Sequence, residues 1–168
     1  VLTLIYTSGT TGPPKGVELT HANVMNVMDA FTQIVDFPPG ARVISWLPAA
    51  HIAERNAHHY APMVMGFQVT TLANPREIVA ALGQVHPQWF FAVPRIWEKL
   101  KAGLETMVHA KPPEEREPLE RALADAVAKV RLEQAGDEVP ADLAARVAVA
   151  DSAHFAAWRG MLGLDEVV

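Results

Sequence analysis

Over its first two thirds the chain repeats one pattern that sharply limits its fold: a short β-branched or aromatic run, then a helical pattern. The runs are "VLTLIY", "RVISWLP", "FQVTTLA" and "WFFAV". Such alternation marks an α/β fold with a parallel sheet flanked by helices. After the first run, Thr20 is a fitting N-cap, and Val24, Val27, Met28, Phe31 and Val35 recur at helical spacing. Pro62 should interrupt or kink the helical stretch "HIAERNAHHYAPMVMG", Pro75 suits a first helical turn, and Pro94 opens "RIWEKLKAGLETMVH".

Beyond Lys111 the strand signal disappears. The segment from Pro112 to Pro140 carries an apolar stripe of Leu119, Ala122, Leu123, Ala126, Val127 and Val130. Glu117/Arg121 and Asp125/Lys129 stand at i,i+4 on its wet side, and Gly136 should end the helix. A second helix is expected from about Ala141 to Leu162. The division expected is therefore a sheet-bearing part over 1–111, an inserted antiparallel helical hairpin over 112–163, and the start of another strand over 164–168. Because the chain begins within one strand pattern and stops within another, "LDEVV", it reads as a fragment of a larger domain.

Composition narrows the function. The 168 residues are 50% hydrophobic and 20% charged, and the net charge of -5 offers no general basic field for a nucleic-acid backbone. Cysteine is absent, which removes disulfides, thiolate metal sites and a cysteine nucleophile. No apolar run reaches the ~20 residues that span a bilayer, and the N-terminus lacks a basic flank, so a cytoplasmic location is expected.

The chemistry concentrates in "YTSGTTGPPKG", Tyr6 to Gly16. Read as the loop between a parallel strand and its helix, it would lie at the carboxyl end of the sheet, where α/β proteins bind ligands. Glycines admit close backbone approach, and short hydroxyl side chains add donors with little bulk, a combination suited to phosphate oxygens. Lys15 adds a mobile positive charge. The loop is not a Walker A sequence, since Gly16 and Val17 follow the lysine. Pro13 and Pro14 have no N–H, so a phosphate would be held by Thr7 to Gly12, with Lys15 beyond a stiff spacer.

This stretch resembles the phosphate-binding signature of the adenylate-forming superfamily, which includes acyl-CoA synthetases, luciferases and peptide-synthetase adenylation domains. "VELTHANV" and "SWLPAAHIAER" fit the same superfamily, the second in its long-chain acyl-CoA synthetase form, as does "FAVPRIWEKL". The resemblance implies part of the large N-terminal, AMP-binding domain of a long-chain fatty acid–CoA ligase. Such an enzyme joins a fatty acid to ATP, giving acyl-AMP and pyrophosphate, and coenzyme A then displaces AMP. By similarity, Thr7, Ser8, Gly9, Thr10, Thr11, Gly12 and Lys15 would hold the β- and γ-phosphates. Mg2+ would bridge phosphate oxygens, with the family's acidic metal ligand downstream of Val168. The ribose-binding aspartate and the C-terminal domain with its catalytic lysine also lie outside this chain, so the piece alone is expected to be inactive. Two alternatives stay open: an adenylate-forming ligase for aryl or amino acids, and a non-catalytic nucleotide-binding scaffold.

By the same resemblance His51 stands beside the acyl-adenylate; the plainer reading is a helix-start histidine satisfied by backbone. Some long-chain members place an aromatic gate one helical turn after that histidine, where this chain has Glu54 and Arg55. Either the gate lies elsewhere or an ion pair closes the tunnel. His51, Glu54 and His58 could share a helical face, with His59 adjacent, a weak metal-site pattern. Trp89, Phe90 and Phe91 read as core more than as an acyl-binding wall. The hairpin is either packed decoration or a platform for a membrane surface or partner protein; its acidic character favours packing.

Overall fold

The computed structural model describes residues 1–8 and 12–168. They divide into two compact units: residues 1–91 with 162–168, and residues 92–161.

The first unit opens with β1 (Thr3–Thr7) and β2 (Lys15–Leu19), an antiparallel pair with Thr3 opposite Leu19 and Thr7 opposite Lys15. The glycine- and proline-rich segment therefore joins two strands of a hairpin. This corrects the expected strand–loop–helix arrangement. The connection is too short for the crossover that a parallel partner requires, so the chain folds back on itself. Helix α1 (His21–Ile34) follows at once, with the expected Thr20 cap. Thr20 Oγ1 accepts from Asn23 N, and Asn23 Oδ1 accepts from Thr20 N, so both exposed ends of the turn are satisfied.

β3 (Arg42–Ser45) and β4 (Gln68–Thr71) run parallel in register, Arg42 opposite Gln68 and Ser45 opposite Thr71. Between them lie α2 (Ile52–Glu54), a π-helical turn (Arg55–Tyr60) and α3 (Ala61–Met65). The expected disturbance at Pro62 takes this form. Proline cannot donate to the carbonyl four residues back, and the wider π turn precedes it. Gly66, at φ 74, ends the helix.

A 3-10 turn (Pro75–Glu77) leads into α4 (Ile78–Val85). The fourth expected strand, "WFFAV", is not one. Residues 87–91 lie along the free edge of β3 without forming a ladder, because side chains take the places of rungs. Gln88 Oε1 accepts Arg42 N at 2.7 Å, and the Trp46 indole donates to Phe91 O at 3.2 Å. One backbone bond remains there, Gln88 N to Arg42 O, and Val168 N donates in turn to Gln88 O. The parallel sheet among the described residues is therefore two-stranded.

The core of this unit packs Val24 and Met28 of α1 against Ala41, Val43, Tyr60, Ala61 and Phe67. Trp89 meets Phe31, Phe37 and Phe91 at ring separations of 6.0, 5.7 and 6.1 Å, while Phe90 stacks on Trp46. The aromatic run thus packs into the core. Gly163, at φ 67, lies so close to α4 that a Cβ there would stand 1.9 Å from the Leu82 carbonyl oxygen.

The second unit contains α5 (Pro94–His109), α6 (Pro113–Ala135), α7 (Ala141–Ala150), a π turn (Asp151–Phe155) and all but the last residue of α8 (Ala156–Leu162). Gly136, at φ 76, terminates α6 as its sequence predicts. α6 and α7 are antiparallel neighbours pinned by Arg146, which reaches Asp125 at 2.8 Å and Asp142 at 2.7 Å. The guanidinium holds both carboxyls below the usual carboxylate range. Asp125 thus pairs across the hairpin, while Lys129 pairs with Glu133. Leu119 is the buried member of the expected stripe; Val127 and Val130 remain about half exposed.

Candidate functional site

The hairpin holds one end of the candidate site. Thr7 closes β1 and Lys15 opens β2 in the same cross-strand pair, with Cα atoms about 5 Å apart by antiparallel geometry. Lys15 is therefore brought back beside the first hydroxyl of the loop, which corrects the picture of a charge held apart by a stiff spacer. Thr7, Ser8, Gly12 and Lys15 are all exposed. Gly9, Thr10 and Thr11, the other members of the expected phosphate grip, lie outside the described residues. Among the described residues nothing lies within 4 Å of a Cβ placed at Gly12.

The other end is the crossover from β3 to the next helix, Ser45 to His51. Glu54, fully buried, fixes its beginning. Its Oε1 accepts the Ser45 hydroxyl at 2.5 Å, and its Oε2 accepts Leu47 N at 3.2 Å and the Nδ1–H of His58 at 2.7 Å. Three donors on one carboxylate explain how a glutamate tolerates a site with no water contact. His58 is buried beside Trp89, at a ring separation of 6.0 Å. Desolvation there pushes its pKa below 6.5, against the raising effect of Glu54. Its Nε2 has no hydrogen-bond partner, as suits the neutral ring that donates from Nδ1.

His51 occupies the N-cap position of α2 and is exposed. Its N–H donates to Pro48 O, and its carbonyl accepts from Arg55 N, while its ring makes no capping bond. Glu54 and Arg55 do not close a tunnel as an ion pair. Glu54 is directed inward, whereas Arg55 donates from Nε to Ala49 O at 2.8 Å and from Nη1 to Thr3 Oγ1 at 2.7 Å. The i,i+4 relation of Glu54 and His58 was visible in the sequence; it makes a hydrogen-bonded pair. Among the described residues no group of three His, Cys, Asp or Glu is placed to hold a metal.

The AMP-binding enzyme family matches residues 1–156. The chain belongs to the AMP-binding enzyme family. Within it, the chain is 44% identical over 168 residues to the fatty-acid–CoA ligase fadD11 of Mycobacterium tuberculosis, covering 99% of this chain and 29% of that protein. It is 40% identical over 103 residues to the human long-chain-fatty-acid–CoA ligase ACSBG2, covering 58% of this chain and 15% of that one. It is 34% identical over 114 residues to fatty acyl-CoA synthetase B of Dictyostelium discoideum, covering 66% and 16%. The chain thus spans less than a third of the length of these relatives.

Two residues that hold these segments in place carry no signal in the sequence. Ser45 gave no signal, being one small polar residue at the end of a strand. Thr3 gave none either, since its only distinction is the guanidinium it meets from 52 residues away.

Proposed function

We propose that this chain is the phosphate-binding and acyl-side portion of an ATP-dependent long-chain fatty acid–CoA ligase. The complete enzyme would first let the fatty-acid carboxylate attack the α-phosphate of ATP, forming acyl-AMP and releasing pyrophosphate. Coenzyme A would then take the acyl group and release AMP.

The observation that carries the reading is the pairing of Thr7 with Lys15 across the hairpin. It sets a hydroxyl and a cation on opposite sides of one loop mouth, where negative charge on a departing pyrophosphate can be shared. Ser8 and Gly12 flank them in sequence and are exposed; Gly9, Thr10 and Thr11 belong to the same signature and lie outside the described residues. Donors fixed before charge develops stabilise a transition state with little reorganisation. His51 would meet the acyl-adenylate as a hydrogen-bonding partner on the other side, positioning substrate without carrying a permanent charge.

Magnesium is a further expectation from the family. Among the described residues no group of three His, Cys, Asp or Glu is placed to hold it. The helical unit from Ala92 to Met161 has no helix long and apolar enough to cross a membrane among the described residues, and packing is its proposed role.

The test is ATP–pyrophosphate exchange by the full-length protein against fatty, aryl and amino acids. Exchange stimulated by long-chain fatty acids supports the assignment. Stimulation by aryl or amino acids alone would move it to another adenylate-forming ligase, and no stimulation by any acid would remove the catalytic reading.

A further inference from the structure

Arg55 joins two segments that are distant in sequence. Its Nε donates to the carbonyl of Ala49, two residues before His51, and its Nη1 donates to the hydroxyl of Thr3 on β1. Thr3 and Thr7 point to the same face of β1, because side chains four apart in a strand share a face. That face also carries Lys15, the cross-strand partner of Thr7. Thr3 lies about 13 Å along the strand from Thr7 at ~3.3 Å per residue, and a paired strand carries position over such a length as a stiff element.

The hairpin needs an anchor of this kind. Ile5 is the only residue of β1 and β2 that is buried, so apolar packing holds the pair at one point. Glu54, next in sequence to Arg55, pins the start of the Ser45–His51 crossover from inside. Arg55 fixes its far end at Ala49 and, with the same planar guanidinium, reaches across to the hairpin. A guanidinium can do this because its donors diverge at fixed angles, whereas a lysine ammonium offers a point charge on a flexible stem.

We infer that Arg55 is a positioning residue that holds the phosphate-loop hairpin in register with the His51 segment, so that ATP and the fatty-acid carboxylate meet at reacting distance. This rests on the function proposed above. The consequence is specific: loss of the tie should slow the joining of two bound substrates more than it weakens the binding of either. Misplacement by ~1 Å can cost on the order of 100-fold in rate when two reactants must be aligned.

The experiment uses the full-length protein with Arg55→Gln, Thr3→Val and the double variant, read by ATP–pyrophosphate exchange and by equilibrium ATP binding. Thr3→Val removes only the acceptor and keeps a β-branched strand residue, so it decides the matter even if Arg55→Gln folds poorly. The expected result is a fall in kcat of about tenfold or more in each variant, with ATP affinity changed by less than about twofold. The double variant should be no slower than Arg55→Gln alone. Wild-type kcat in Thr3→Val would overturn the inference, as would parallel losses of ATP and fatty-acid affinity or additive effects in the double variant. A wild-type protein without carboxylate-dependent exchange would instead sink the proposed function, and the inference with it.

Discussion

Replacing Glu54 offers a quantitative test of the buried network. Glu54→Ala would leave the Ser45 hydroxyl, the Leu47 N–H and the His58 Nδ1–H without their acceptor in a site closed to water. An unsatisfied buried donor costs ~1–3 kcal/mol, although the Ser45 hydroxyl can rotate toward another partner. Two stranded donors and the small cavity left by the side chain give a loss of about 3–5 kcal/mol, the range for breaking a buried pair by removing one member. Glu54→Gln keeps the volume and one good acceptor, and should cost less, about 1–3 kcal/mol. With a urea slope of ~2 kcal/mol/M, the alanine variant's midpoint should fall by about 2 M. Fluorescence of the buried Trp46 and of Trp89, which packs beside His58, would report the transition. If Glu54→Ala shifted the midpoint by less than ~0.5 M, or less than Glu54→Gln did, the network would not be holding the crossover.

The remaining predictions concern pH and glycine. Burial holds the His58 pKa below 6.5, so the unfolded chain binds this proton more readily than the folded one. Its contribution to stability is therefore intact above pH 6.5 and declines as pH falls below it; His58→Gln should flatten that part of the urea-midpoint profile between pH 7.5 and 5, and an unchanged profile would contradict the burial effect. Gly163→Ala should destabilise by more than ~1 kcal/mol, since alanine is disfavoured at positive φ and its Cβ would overlap the Leu82 carbonyl. Gly103→Ala, within α5 and with nothing within 4 Å of the added Cβ, should stabilise by about 0.5–1 kcal/mol. Thermal unfolding would show the two glycine changes moving in opposite directions.

Local rules carried far in this chain wherever the cause of a structure lay close by in sequence. Thr20 and Asn23 are three residues apart, so the start of α1 was readable; Gly136 sits directly after the α6 pattern, so its end was too. β2 was missed because "KGVEL" has no alternation to detect. Four of its five residues are exposed, and its strand state comes from pairing with β1. The opposite error, a strand at "WFFAV", arose because aromatic content signals burial but cannot show that Gln88 and Trp46 side chains would occupy the hydrogen-bonding sites along β3. The candidate site follows the same division. The glycine- and hydroxyl-rich composition of the Tyr6–Gly16 loop was legible; the return of Lys15 beside Thr7 required a strand pairing. The spacing of Glu54 and His58 was legible; their burial and the inward acceptance from Ser45 required the packed core.

In the proposed function the Thr7–Lys15 hairpin grips the phosphates of ATP during adenylate formation. Its most direct test is long-chain fatty-acid-dependent ATP–pyrophosphate exchange by the full-length protein, compared with Lys15→Ala. A hydrogen bond to a charged group contributes ~1.5–3 kcal/mol, so the variant should lose about 10- to 100-fold in kcat/KM for exchange. Full exchange activity in Lys15→Ala would remove the hairpin from phosphate binding.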